Sequence, residues 1–163
     1  MPSSELFFPI CYMGHWFLFI VDIANHCFVY LDSLYSEDSS YHLDIKDRLV
    51  SNFKNLWRKI VPNAERTNFN NFMILYPPVP KQTNLDDCGV FVMKCIELWH
   101  YGADLQNYFS HEDIPNIRMK YANGLYFSLV NQVNTSLVIK LCCGGRLFFT
   151  DNLVTCYLFL CHC

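Results

Sequence analysis

Cys88 stands between Asp87 and Gly89 in the stretch Gln82-Thr83-Asn84-Leu85-Asp86-Asp87-Cys88-Gly89-Val90-Phe91, which carries more chemical information than any other part of the chain. The flanking residues predict a turn running into a helix. A thiol at a helix N-terminus is one presented for reaction, because the helix dipole and the first N–H groups favour its thiolate. A free thiol of pKa ~8.5 is mostly protonated at neutral pH, and a helix N-terminus with a nearby imidazolium brings it into the range of about 3.5 to 7.5. His15 is the candidate imidazole, and Asp32 is the carboxylate that would accept from its other ring nitrogen, fixing the tautomer. Gln82, six residues before Cys88, can donate its amide N–H to a developing oxyanion beside the backbone N–H of Cys88. Gly89 would leave the space next to the nucleophile open to a substrate main chain, and Trp16 would form an apolar wall over a slender substrate. Nucleophile, base, orienter and oxyanion donor are all available. A serine nucleophile at Ser33 is disfavoured, since no G-x-S-x-G elbow is present.

The predicted elements bring these residues together. Trp16 to Ile23 and Cys27 to Leu31 are nearly continuous apolar runs separated by Ala24-Asn25-His26, the pattern of two buried strands joined by a tight turn. His15 enters the first strand and Asp32 leaves the second, so antiparallel pairing places both at one end of the hairpin. From about Tyr41 to Val61 the residues Ile45, Leu49, Val50, Phe53, Leu56, Trp57, Ile60 and Val61 follow helical spacing, with Ser39 or Ser40 as cap and Pro62-Asn63 as stop. Phe72 to Tyr76 reads as a short strand closed by Pro77-Pro78. Asp87 is the expected N-cap of a helix from Cys88 to about His100, with Val92, Cys95, Ile96 and Trp99 on its apolar face and Gly102 as its stop. Ser110 to Asp113 resembles a capping sequence, Pro115 suits a first turn, and Ile117, Tyr121 and Leu125 mark a last helix to about Val130.

With 163 residues, 52% of them hydrophobic and 17% aromatic, the chain has the material for one sizeable core. A net charge of -3 without any run of Lys or Arg argues against nucleic acid as the main partner, because phosphate binding needs a basic footprint. The residues from Met1 to Cys11 lack the features of a secretory signal, so the nine cysteines are read as free thiols of an intracellular, reducing compartment, nucleus or cytoplasm. Cys11, Cys27 and Cys95 lie in apolar segments and are expected to behave as small hydrophobes. No run of ~20 apolar residues is present to span a bilayer.

Beyond Asn131 the periodicity fades into a Cys-rich hydrophobic tail, residues 132–163, with Cys142, Cys143, Cys156, Cys161, His162 and Cys163. These lack the paired CxxC knuckles of a zinc site, so the expected metal content is none. The organised domain is expected to span residues 1–131.

Taken together, His15-Trp16, Leu31-Asp32-Ser33-Leu34 and Gln82 through Phe91 occur in the order His, Asp, Gln, Cys. That order resembles the ubiquitin-like protein proteases, the SUMO-protease or sentrin-specific protease family, over roughly residues 7 to 131. It extends through Ile96-Glu97-Leu98-Trp99 and Asp113-Ile114-Pro115-Asn116-Ile117-Arg118, with the plant members most similar. The resemblance implies a papain-like α+β fold with a central mixed or antiparallel sheet flanked by helices and the nucleophile at a helix N-terminus. It implies that His15, Asp32 and Cys88 form a catalytic triad, that Gln82 serves the oxyanion hole, and that Trp16 lines a tunnel for the substrate's Gly-Gly tail. The implied reaction is hydrolysis of a peptide or isopeptide bond after Gly-Gly through a thioester, by a monomer that needs no cofactor and takes a SUMO-type modifier or its conjugates as partner.

Family domains carry a further segment before the histidine, whereas 14 residues precede His15 here. Phe7-Phe8-Pro9-Ile10 resembles the strand just before it, so the chain is expected to begin within the domain. Leu85 stands where many members have a small residue. The alternative to a working protease is an inactive relative that binds a protein partner.

Overall fold

The computed structural model describes residues 4–128, which fall into two units, one up to His111 and one from Glu112 onward. The first unit is built on a four-stranded sheet of order β1-β2-β3-β4, comprising β1 (Glu5–Tyr12), β2 (His15–Asp22), β3 (Cys27–Leu31) and β4 (Met73–Leu75). The first three strands are antiparallel and β4 runs parallel to β3, so the sheet is mixed. Three helices follow the expected order: α1 (Ser40–Ile60), α2 (Cys88–Leu98) and, in the second unit, α3 (Ile114–Tyr126).

The two turns of the meander fix its register. Met13 and Gly14 both have positive φ, at 48° and 77°, which makes a two-residue primed turn matched to the twist of the strands and pairs Tyr12 with His15. At the other end of β2, the Asp22 carboxylate accepts from the backbone N–H and the side-chain amide of Asn25, at 2.9 and 2.7 Å, and closes the four-residue loop to Cys27. β1 is an edge strand, and Pro9 is tolerated there because one side of its backbone needs no ladder partner.

Both faces of the β2–β3 hairpin are buried, which is why its residues read as continuous apolar runs rather than an alternation. Phe17, Phe19, Val21, Phe28 and Tyr30 form one core with Tyr41, Ile45 and Phe53 of α1. The alternate residues Leu18, Ile20, Val29 and Leu31 are buried as well, and α2 packs against β2.

Several sequence expectations need correction. At 1.5 Å per residue α1 is about 31 Å long, longer than the strands it covers, and its last turns carry Leu56 and Ile60 into solvent. In α2 the buried residues are Cys88, Val90, Phe91, Val92 and Cys95, while Ile96 is 40% exposed. That helix ends at Leu98, two residues early, because Trp99 takes an extended conformation before the Gly102 turn at φ 81°. Cys11 is exposed on β1, whereas Cys27 and Cys95 are buried as expected. α3 ends at Tyr126, and Val130 and the Cys-rich tail lie outside the described residues.

Candidate active site

The end of the sheet at which β2 begins and β3 finishes collects the ionisable groups. Leu18 pairs with Leu31, so His15 at the start of β2 and Asp32 just past β3 project beyond the last rung of that ladder toward each other. Nε2 of His15 and Oδ1 of Asp32 are 2.8 Å apart, both groups buried. The chain turns sharply after Asp32, and the backbone N–H groups of Leu34 and Tyr35 donate to the same Oδ1 at 2.7 and 2.9 Å. This is an Asx turn that orients the carboxylate as it ends the strand. Lys81 braces the loop from outside, its Nζ donating to the carbonyls of Asp32 and Tyr35 at 2.8 and 3.1 Å.

With Nε2 committed to Asp32, the other ring nitrogen of His15 is left for the Cys88 thiol, and each of these two groups shifts the titration of the other. Cys88 is the first residue of α2 and is buried. Burial favours the neutral thiol, but the imidazole of His15 and the backbone N–H groups of Trp16 and Gly89 outweigh it and pull the thiol below its ordinary pKa. Burial would likewise discharge His15, yet its hydrogen bonds to Asp32 and Cys88 and their charges raise its pKa to about 9. For Asp32, burial is overcome by the two imidazoles and the Leu34 N–H, which hold the carboxyl well below the usual range. Both shifts run in the direction of a thiolate beside an imidazolium. The other buried cysteines are opposite in kind: Cys27 and Cys95 are pushed up to about 11 and about 12, chiefly by burial.

Gln82 is buried in the loop before α2 and bonded at both ends of its amide. Its Oε1 accepts from the Ser33 hydroxyl at 2.5 Å, and its Nε2 donates to the carbonyl of Asn84 at 2.6 Å. Asn84 organises the turn into α2: its Oδ1 accepts from the N–H groups of Asp86 and Asp87, and its Nδ2 donates to Oδ2 of Asp87. Asp87 occupies the N-cap position as expected, but its side chain does not cap the helix; its carboxylate is taken by Asn84. Trp16 is half-buried, and beside Gly89 the space where a Cβ would stand is open for 4 Å. His15, Trp16, Asp32, Gln82, Cys88 and Gly89 thus lie at the His15 end of β2, just past β3, at the start of α2 or on the loop that leads into it.

His42 was not anticipated. Its Nε2 is 2.9 Å from Oδ2 of Asp32, and its fully buried ring is enclosed by Phe17, Tyr30, Tyr41 and Tyr76. The available signal was Ser39-x-x-His42 at the start of the predicted helix: Ser39 is indeed the cap, accepting from the His42 N–H, and His42 then falls on the core-facing side with Ile45. Asp32 therefore receives four N–H donors, from His15, His42, Leu34 and Tyr35. Among the described residues no group of three or more His, Cys, Asp or Glu is arranged to hold a metal ion.

A thiol at a helix N-terminus, paired with an imidazole that a carboxylate orients, on an α+β frame, is the arrangement of a cysteine-type hydrolase. Residues 4–133 match the family described as Ulp1 protease family, C-terminal catalytic domain, and the chain belongs to that family. It is 32% identical over 118 residues to an Arabidopsis thaliana protein provisionally named ubiquitin-like-specific protease 1B, covering 72% of this chain and 33% of that protein. To ubiquitin-like-specific protease 1A of the same plant it is 29% identical over 120 residues, covering 73% and 22%. The chain thus spans a third or less of these curated relatives. Among solved structures it resembles the C-terminal Ulp1 protease domain in complex with Smt3, the yeast ortholog of SUMO, with TM-score 0.54 and 26% identity over 71% of this chain and 48% of that one. The Chaetomium thermophilum Ulp1-like SUMO protease catalytic domain shares the fold, with TM-score 0.53 and 23% identity over 75% and 45% of the two chains.

Proposed function

We propose that this chain is a cysteine peptidase that cleaves the peptide or isopeptide bond after the C-terminal Gly-Gly of a SUMO-type modifier. The observation that carries this reading is the Cys88 thiol at the first turn of α2, with His15 held between it and Asp32. Membership of the Ulp1 protease family supports the substrate class. The thiolate attacks the carbonyl carbon, a C–S bond forms, and the C=O electron pair moves onto oxygen, where the N–H of Cys88 and the amide of Gln82 receive it. Collapse expels the amine, which takes its proton from the His15 imidazolium. Water, deprotonated by His15, then hydrolyses the thioester. The open space at Gly89 and the half-buried Trp16 suit a substrate tail without side chains. A reducing compartment keeps such a thiol active.

A SUMO-type protein carrying a C-terminal electrophile tests the reading. Covalent labelling at Cys88, lost in Cys88→Ser, together with cleavage of a Gly-Gly-linked fusion, is the expected result. Failure of the folded protein to label with SUMO-type or ubiquitin probes, while its Cys88 still reacts with iodoacetamide, would overturn it. Binding without turnover would assign the chain as an inactive, partner-binding relative.

A further inference from the structure

We infer that Ser33 is a positioning residue for the oxyanion hole, acting by anchoring the oxygen end of the Gln82 amide, whose facing the Asn84 carbonyl sets. The inference rests on the reading of Cys88 as a nucleophile attacking a carbonyl, and it concerns a residue outside the set His15, Asp32, Gln82 and Cys88. An amide side chain has an accepting end and a donating end of nearly equal size, so its orientation is decided by its neighbours. The carbonyl of Asn84 can only accept, and it lies 2.6 Å from one end of the Gln82 amide, which must therefore be the NH2. The oxygen end then falls 2.5 Å from Oγ of Ser33, whose hydroxyl donates to it.

Were the amide reversed, its oxygen would face the Asn84 carbonyl, and two acceptors would be left in contact with no proton between them. The backbone repeats the tie, since the Gln82 N–H donates to the Ser33 carbonyl at 2.9 Å. An NH2 group has two hydrogens, and only one is used by Asn84; the second remains for an oxyanion. The other donor of the hole, the N–H of Cys88, belongs to the first turn of α2, where N–H groups have no acceptor within the helix. Asn84 also sets that turn through Asp86 and Asp87. Ser33, Gln82, Asn84 and Asp87 thus form one hydrogen-bonded run from the end of β3 to the residue before Cys88. Ser33 itself adjoins Asp32, so a single dipeptide orients both the base and the oxyanion donor.

The test compares two reactions of the Cys88 thiol, each followed by peptide mapping of the intact chain. Acetylation by p-nitrophenyl acetate passes through an oxyanion, whereas alkylation by iodoacetamide at a saturated carbon does not. Ser33→Ala is expected to slow acetylation roughly tenfold, part of the ~10²–10³ lost with a whole oxyanion donor, while alkylation stays within about twofold. Ser33→Thr, which keeps the hydroxyl, should restore acetylation to within about threefold, and Ser33→Ala with Gln82→Ala should be no slower than Gln82→Ala alone. Several results would overturn the proposal: acetylation of Ser33→Ala at the wild-type rate, losses in the double variant that multiply, equal acetylation of wild type and Gln82→Ala, or a parallel fall of both reactions in Ser33→Ala and Ser33→Thr. Neither reagent engages a modifier, so the outcome stands whether or not a Gly-Gly-linked protein is cleaved.

Discussion

Oδ2 of Asp32 lies 2.9 Å from Nε2 of His42, so the carboxylate that meets His15 on one oxygen is held on the other by a second, fully buried imidazole. The contact ties the first turn of α1 to the residue that ends β3. It also occupies the oxygen that would otherwise be a buried acceptor without a partner.

His42→Phe keeps the ring volume inside the cage of Phe17, Tyr30, Tyr41 and Tyr76 but removes the donor. Leaving Oδ2 without its partner should cost about 1–3 kcal/mol. Urea unfolding followed by tryptophan fluorescence reads this directly. An unchanged midpoint would show that His42 contributes only its volume.

The cysteines should separate by reactivity. At about pH 7 iodoacetamide should modify Cys88 readily, while Cys27 and Cys95, whose thiols burial pushes up to about 11 and about 12, should wait for unfolding. His15→Ala removes the imidazole and leaves only the backbone N–H groups of Trp16 and Gly89 to oppose burial at Cys88. Because the thiolate is the reacting form, its alkylation at about pH 6.5 should fall roughly tenfold or more, and the gap between the two rates should narrow at about pH 10. Equal rates at both pH values would show that His15 does not stabilise the thiolate.

Asp32 predicts an acid limb of stability. Its folded pKa is depressed, so its contribution is fully present above the ordinary carboxylate value of ~3.9 and is lost as pH falls toward the folded value. His15 has the opposite sign: raised to about 9, it contributes stability that is complete below its ordinary value and is lost as pH rises through about 9. Asp32→Asn should therefore be less stable than wild type at pH ~7 and should flatten the dependence at both ends. Urea midpoints at about pH 3, 6 and 9 provide the comparison; parallel curves for the two proteins would contradict it.

The main features of the site were legible because they sit on elements with strong periodicity. The apolar runs around Ala24-Asn25-His26 place His15 and Asp32 at one end of a hairpin, and Cys88 follows a turn and opens an apolar helix. Ser39 before a 3.6-residue pattern marks the start of α1. What escaped was lateral. His42 reads as one polar residue near a helix start, and only the docking of α1 on the sheet turns it onto Asp32. The Ser33 to Gln82 contact joins residues 49 apart, which no local pattern encodes. Leu56, Ile60 and Ile96 fit their helical stripes, yet helix length and docking leave them exposed.

The turn that starts β2 offers a test with two signs. Gly14 has φ 77° and Met13 φ 48°, so both occupy the left-handed region that a primed hairpin turn requires. A Cβ on Gly14 would meet nothing within 4 Å, which makes the cost of Gly14→Ala one of backbone conformation alone. That cost should be about 1–2 kcal/mol. Met13→Gly works in the other direction, relieving a side chain from the same region and stabilising the turn, offset in part by the greater freedom glycine gives the unfolded chain. In both variants the Cys88 alkylation rate at about pH 6.5 should stay within twofold of wild type, because Asp32 and the flanking rings of Tyr35 and Tyr41 also hold His15. Thermal unfolding of the two variants measures the turn itself: Gly14→Ala should melt below wild type and below Met13→Gly, and the reverse order would mean that the Tyr12 to His15 register does not depend on this backbone geometry.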